Sequence, residues 1–139
     1  MTTYKKTSYI LLALLASPVL SAENLKTITS AGIQYEFVDN TQYLNKSINV
    51  SGVYAGQKVI NRSLGIEGEV TRNIIIKTSA MKNLSFHEKN MEKIHIVNGY
   101  WMLKFPSDTD LMKKLEWINE QDDIIKAEIE IMNNMNQPR

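Results

Sequence analysis

An α+β fold, with an antiparallel sheet carrying helices on one face, is what this chain predicts from three observations. Two strand-like apolar runs, 93–97 and 100–105, are separated only by Asn98-Gly99, the strongest short-range hairpin signal because both residues tolerate positive φ. Leu111, Leu115 and Ile118 then recur at helical spacing with Met112 alongside, making one apolar stripe. After Asp122-Asp123 the period drops to two, with Ile125, Ala127, Ile129 and Ile131 on one side and Lys126, Glu128 and Glu130 on the other, as in a half-buried strand.

A first strand is expected over the aliphatic run Asn73-Ile74-Ile75-Ile76-Lys77-Thr78. The polar segment 79–90 carries Met81, Leu84 and Phe86 and reads either as a short helix or as a loop with one helical turn. The hairpin ends at Phe105-Pro106, because proline cannot donate to a ladder. Ser107 or Asp108 is placed to cap the following helix, with Asp110 in its first turn, where orphan N–H groups attract oxygen and negative charge. The order over 73–131 is therefore strand, short helix or loop, strand, strand, helix, strand, and the helical form of the first connection is the one expected. That is a ferredoxin-like βαββαβ module.

The chain around this module divides into a leader, an extension and a tail. Lys5 and Lys6 precede the apolar run 9–16, and small residues follow up to Ser21-Ala22. Such a pattern is a secretory leader cleaved after Ala22, and the run is too short for a bilayer anchor. Export to a bacterial periplasm or the extracellular medium is expected, and with no cysteine in the sequence no disulfide framework or lipid anchor at this boundary is available. Residues 23–72 read as an irregular β-rich extension, with Ile33 to Val38 as one strand and Gly52, Gly56, Gly65 and Gly68 punctuating short apolar pieces. Residues 132–139 lose periodicity. They read either as a frayed end or as a segment that becomes extended in a partner's cleft.

Charge and motifs exclude several function classes. Removing the leader leaves 14 basic and 15 acidic residues, which gives no case for nucleic acid as partner. His87 and His95 are the only histidines, too few to build a metal centre without cysteine. No Gly-x-Ser-x-Gly elbow or phosphate loop occurs. No catalytic residue, metal ligand or cofactor is expected. If Ile94 and Ile96 face the core, His95 faces the opposite side of the sheet. There it would join either Tyr100 and Met102 or Trp101 and Leu103, together with Lys126, Glu128 and Glu130. Aromatics and a methionine on a face without helices suit the centre of a protein interface.

The segment 73–131 resembles the N-terminal propeptide domain of subtilisin-like serine proteases, the intramolecular chaperone and inhibitor module. The residues that carry the resemblance are Asn73-Ile74-Ile75-Ile76-Lys77, Leu111-Met112-Lys113-Lys114-Leu115 and above all Asp123-Ile124-Ile125-Lys126-Ala127-Glu128. Ile129 stands where that family usually has proline. The arrangement is similar to free-standing relatives that act in trans, such as the exported chaperones of Aeromonas-type, kexin-related serine proteases. The resemblance implies docking on a protease through His95, Tyr100, Trp101, Met102, Lys126, Glu128 and Glu130, with Asn136, Gln137, Pro138 and Arg139 running toward the active-site cleft. It implies templated folding of that enzyme, inhibition of it, or both. An exported protein-binding module with an unrelated partner is the competing expectation.

Overall fold

The computed structural model describes residues 26–38, 52–79 and 83–136. The expected leader and residues 137–139 of the expected cleft-entering tail lie outside the described residues, as do 39–51 and, within the expected first helix, 80–82. What is described is mostly antiparallel sheet with a single short helix. Its strands are β1 (Thr27–Ser30), β2 (Ile33–Phe37), β3 (Lys58–Asn61), β4 (Ile66–Thr78), β5 (Glu92–Val97), β6 (Tyr100–Lys104) and β7 (Ile124–Asn133). The helix α1 (Leu111–Asn119) lies between β6 and β7.

Strand β4 organises everything else. Along one edge it pairs with β3 through its first half and with β6 through its second half, and along the other it pairs with β7. The strand order is therefore β1-β2-β3-β4-β7 at one end and β5-β6-β4-β7 at the other. The expected division at residues 72 and 73 falls inside β4, where two extra residues break the register with β7 between Val70 and Ile74. Glu130 holds this bulge together: Thr71 Oγ1 donates to its carboxylate at 2.8 Å and Asn73 Nδ2 at 2.7 Å. Bulges of this kind bend the strand and raise its twist. Here the bend lets one strand serve both halves of the sheet.

The extension 23–72, expected to be irregular, adds three strands to the same sheet. Gly68, read from sequence as turn punctuation, lies within β4. A Cβ at Gly68 would sit 2.5 Å from Ile131 Cγ2 and 3.5 Å from Val59 Cγ2, so the position keeps no side chain because its neighbours fill the space. At this end the sheet curls until β1 touches β7. Asn133 Nδ2 donates to the hydroxyl of the buried Tyr35 at 3.3 Å.

One face of the sheet carries the core. Ile74, Ile76, Leu103 and Ile129 are essentially inaccessible, and Leu111 and Ile118 of α1 cover them. The first helix of the expected βαββαβ order is not found among the described residues. Residues 83–91 run as a loop in which Leu84 and Phe86 are buried while Ser85 and His87 are exposed. That two-residue alternation belongs to extended chain and not to a helix. Phe86 meets Trp117 of α1 edge-on, with ring centroids 5.5 Å apart, so loop and helix together roof the core. The helix starts later than expected. Thr109 N–H donates to Pro106 O at 3.1 Å, which closes a turn over 106–109 that holds Ser107 and Asp108 outside the helix. Asp110 is the N-cap instead, accepting from Met112 N at 3.1 Å and from Val53 N at 3.2 Å.

Candidate functional site

The other face of β5-β6-β4-β7 has no helix over it, and the strand registers arrange its side chains in three cross-strand rows. Val97, Tyr100, Lys77 and Lys126 form the first. Ile94, Met102, Ile75 and Glu128 form the second. Glu92, Lys104, Asn73 and Glu130 form the third. Three apolar side chains, Ile94, Met102 and Ile75, thus lie in line across three strands. Tyr100 and Val97 extend the patch toward the hairpin turn, and ionic groups border it on the remaining sides.

The turn that carries the first row is fixed by backbone geometry. Asn98 and Gly99 both have positive φ, 44° and 79°, as a type I′ hairpin requires. Gly99 O accepts from Thr78 N at 2.9 Å, which ties the turn to the end of β4. On β5 the register slips between His95 and Val97, so Ile96 is an extra residue in the strand. Ile94, Ile96, Val97 and Tyr100 remain exposed in consequence, at 37%, 48%, 53% and 39%. Four large apolar side chains this close together are not the scattered exposure normal for a soluble surface.

Charges around the patch are mostly paired within the chain. Lys126 and Glu128 lie 3.0 Å apart, and Lys104 and Glu92 lie 3.7 Å apart. The Lys77 ammonium sits 5.5 Å from the centre of the Tyr100 ring, within cation–π reach. Such solvated pairs add little stability, roughly 0–1 kcal/mol each. Their importance is as a pattern that a partner surface must match.

Of the expected docking residues, Tyr100, Met102, Lys126, Glu128 and Glu130 share this uncovered face. His95 and Trp101 do not. Trp101 pairs with Ile76 in register and is buried on the helix side, and His95 lies opposite Trp101 with ring centroids 4.7 Å apart. The alternation argument placed Ile94 and Ile96 inward because isoleucine is the more apolar residue. On this edge strand His95 packs on Trp101 while staying exposed, Lys93 Nζ donates to Phe86 O of loop 83–91 at 3.2 Å, and Ile94 takes the open side in register with Met102. Ile75, Ile94 and Val97 are the members that the expected set lacked. Their signal was present in the register of Tyr100 with Lys77, which a hairpin pairing alone does not supply.

No group of three His, Asp or Glu residues is placed to hold a metal ion among the described residues. None of their helices is long and apolar enough to cross a membrane.

Among protein families, the open reading frame 2 N-terminal domain matches the chain over residues 17–138. The chain belongs to that family. The finding corrects the resemblance to subtilisin propeptides: the family matched along nearly the whole chain is a different one, and the short pattern around Ala127-Glu128 does not carry a relationship to the propeptide family. No curated protein and no solved structure matches the chain. The match to the open reading frame 2 N-terminal domain also runs without a break across the point where an extension and a separate module were expected. The description names a position in a reading frame and states no activity, so function rests on the geometry of the uncovered face.

Proposed function

We propose that the chain is an exported binding protein that acts in trans on a subtilisin-like serine protease, as a folding template, an inhibitor or both. The observation that carries the reading is the uncovered face itself: the line Ile94, Met102 and Ile75, extended by Tyr100 and ringed by lysine and glutamate. In this proposal β4–β7 and α1 serve as a ferredoxin-like platform, roofed on one side and free on the other.

The physical logic is one of templating. A large α/β enzyme domain folds slowly because long-range pairing precedes its reward. A small prefolded sheet that binds the native surface stabilises that state by mass action. The same complementarity inhibits once folding is complete. The leader-like residues 1–22 support export of the chain to where such an enzyme would fold.

The test is refolding of a denatured subtilisin-like protease with and without the purified protein, alongside inhibition of the folded enzyme. Recovery of activity or inhibition, abolished by Met102→Glu, is the expected result. A chain that neither assists nor inhibits the protease, yet binds another exported protein through the same face, would establish the competing reading of an unrelated partner.

A further inference from the structure

We propose that two copies of this chain pair edge to edge along β7, so that one sheet continues into the other. Among the described residues β7 is bonded to β4 on one side and to no strand on the other. Asn133 at its C-terminal end is tied to Tyr35, which leaves Ile124 to Glu130 as the free length. An open edge offers alternate N–H and C=O groups, and what satisfies them is another extended backbone. The inference is independent of which client the uncovered face takes.

Charge decides which backbone fits. Antiparallel pairing of an edge with itself requires a two-fold axis normal to the sheet, so residues opposite each other share a face. Lys126, Glu128 and Glu130 all lie on the uncovered face. With the axis at Ala127, Lys126 lies opposite Glu128 of the second copy, twice by symmetry. Each lysine also keeps the Glu128 of its own chain, 3.0 Å away, and the four charges alternate in sign around a square. Opposite charges set directly across two strands stabilise the pair, and like charges oppose it. The neighbouring registers are excluded on that ground. An axis at Lys126 sets lysine on lysine, and one at Glu128 sets glutamate on glutamate. On the helix side the axis passes Ala127, small enough to meet its own equivalent. Ile125, the exposed extra residue where the register with β4 shifts, comes to lie beside Ile129 of the second copy.

The edge at the other side of the sheet, β5, is not built this way. Glu92 and Lys93 are adjacent and so point to opposite faces, and no two-fold register sets one against the other. The slip between His95 and Val97 also bends that edge away from a straight partner. One edge is self-complementary and the other is not, which closes the assembly at two copies. Because the axis is normal to the sheet, the two uncovered faces lie on the same side. Pairing therefore leaves Ile94, Met102 and Ile75 free in both copies and presents them to a client as one continuous surface.

Charge reversal at the paired positions tests this. Protein purified after export is examined by analytical ultracentrifugation up to about 1 mM, the range of weak association, with amide exchange followed over the same series. The wild-type mass is expected to climb toward twice the monomer, with exchange over 124–130 slowing as concentration rises and that of β5 unchanged. Lys126→Glu and Glu128→Lys each set like charges across the axis and are expected to stay monomeric alone. Mixed together they are expected to dimerise, since the mixture restores both opposite pairs; two misfolded variants would not rescue one another. A wild-type chain that stays monomeric, a dimer protected along β5 instead of β7, or a mixture no more associated than its components overturns the proposal. None of these measurements reads refolding or inhibition of a protease, so failure here is distinct from failure of the function proposed above.

Discussion

Replacing Gly99 by alanine should cost clearly more stability than the same change at Gly32, although the two positions share nearly the same backbone. Both follow a residue of positive φ in a two-residue hairpin turn, Ala31-Gly32 and Asn98-Gly99, and their own φ values are 78° and 79°. An L-residue in this region costs roughly 1–2 kcal/mol, partly offset by about 0.4–1 kcal/mol from a less flexible unfolded chain. These contributions are common to both sites. What differs is space. Nothing lies within 4 Å of a Cβ built at Gly32, whereas a Cβ at Gly99 would sit 2.5 Å from Thr78 O, a backbone atom. Relieving that contact means moving the end of β4 and losing the bond from Thr78 N to Gly99 O, a loss of about 1 kcal/mol for the hydrogen bond alone. Gly99→Ala should therefore be the more destabilising by about 1–2 kcal/mol. Urea unfolding followed by tryptophan fluorescence reads this directly as a difference in midpoint at constant slope. Equal costs for the two variants, within about 0.5 kcal/mol, would falsify the argument that the turn is clamped to β4.

The remaining predictions test the core, the cap, the bulge and the face in turn. Ile74→Ala, at a fully buried position of β4, should cost about 2–5 kcal/mol, measured by the same unfolding assay. Asp110→Ala removes an acceptor shared by Met112 N and Val53 N and should cost about 1–2 kcal/mol; an unchanged midpoint would show that the cap is dispensable. Thr71→Val leaves the Glu130 carboxylate with fewer donors and should cost about 1–3 kcal/mol, with amide exchange accelerated around the bulge first. Tyr100→Glu and Met102→Glu should leave the unfolding midpoint within about 0.5 kcal/mol, as surface changes usually do, while abolishing the effect on the client protease. A large loss of stability in either would move those side chains from the binding face into the core.

Much of the second half of the chain was legible because its signals are local. Asn98-Gly99 marks its own turn, and the alternation from Ala127 to Ile131 marks both a strand and which side chains share a face, whereas Ile125, expected on the core side, is 61% exposed where the register with β4 shifts. The first half was obscured by glycines that do two different jobs. Gly65 has positive φ in a turn, whereas Gly68, three residues on, sits inside a strand to let Val59 and Ile131 close in. Sequence alone does not distinguish them, so the thirteen-residue strand β4 was read as turns followed by a shorter strand. The docking face was half legible. β6 is apolar on both sides, as Tyr100-Trp101-Met102-Leu103, and alternation cannot choose between them. The choice is made by the roof of α1 and loop 83–91, which takes Trp101 and Leu103. His95 was misplaced by the same ambiguity, compounded by a register slip on its strand.

Because β4 is bonded along both edges, its amide protons have no shallow route to solvent. Local fraying can release β1 or the β5 edge, but freeing the middle of β4 means separating β7 and β6 together. The slowest-exchanging amides should therefore cluster at residues 74–76, and their protection should report the free energy of opening the entire domain. A break within Ile66–Thr78 is therefore felt in both halves of the sheet at once.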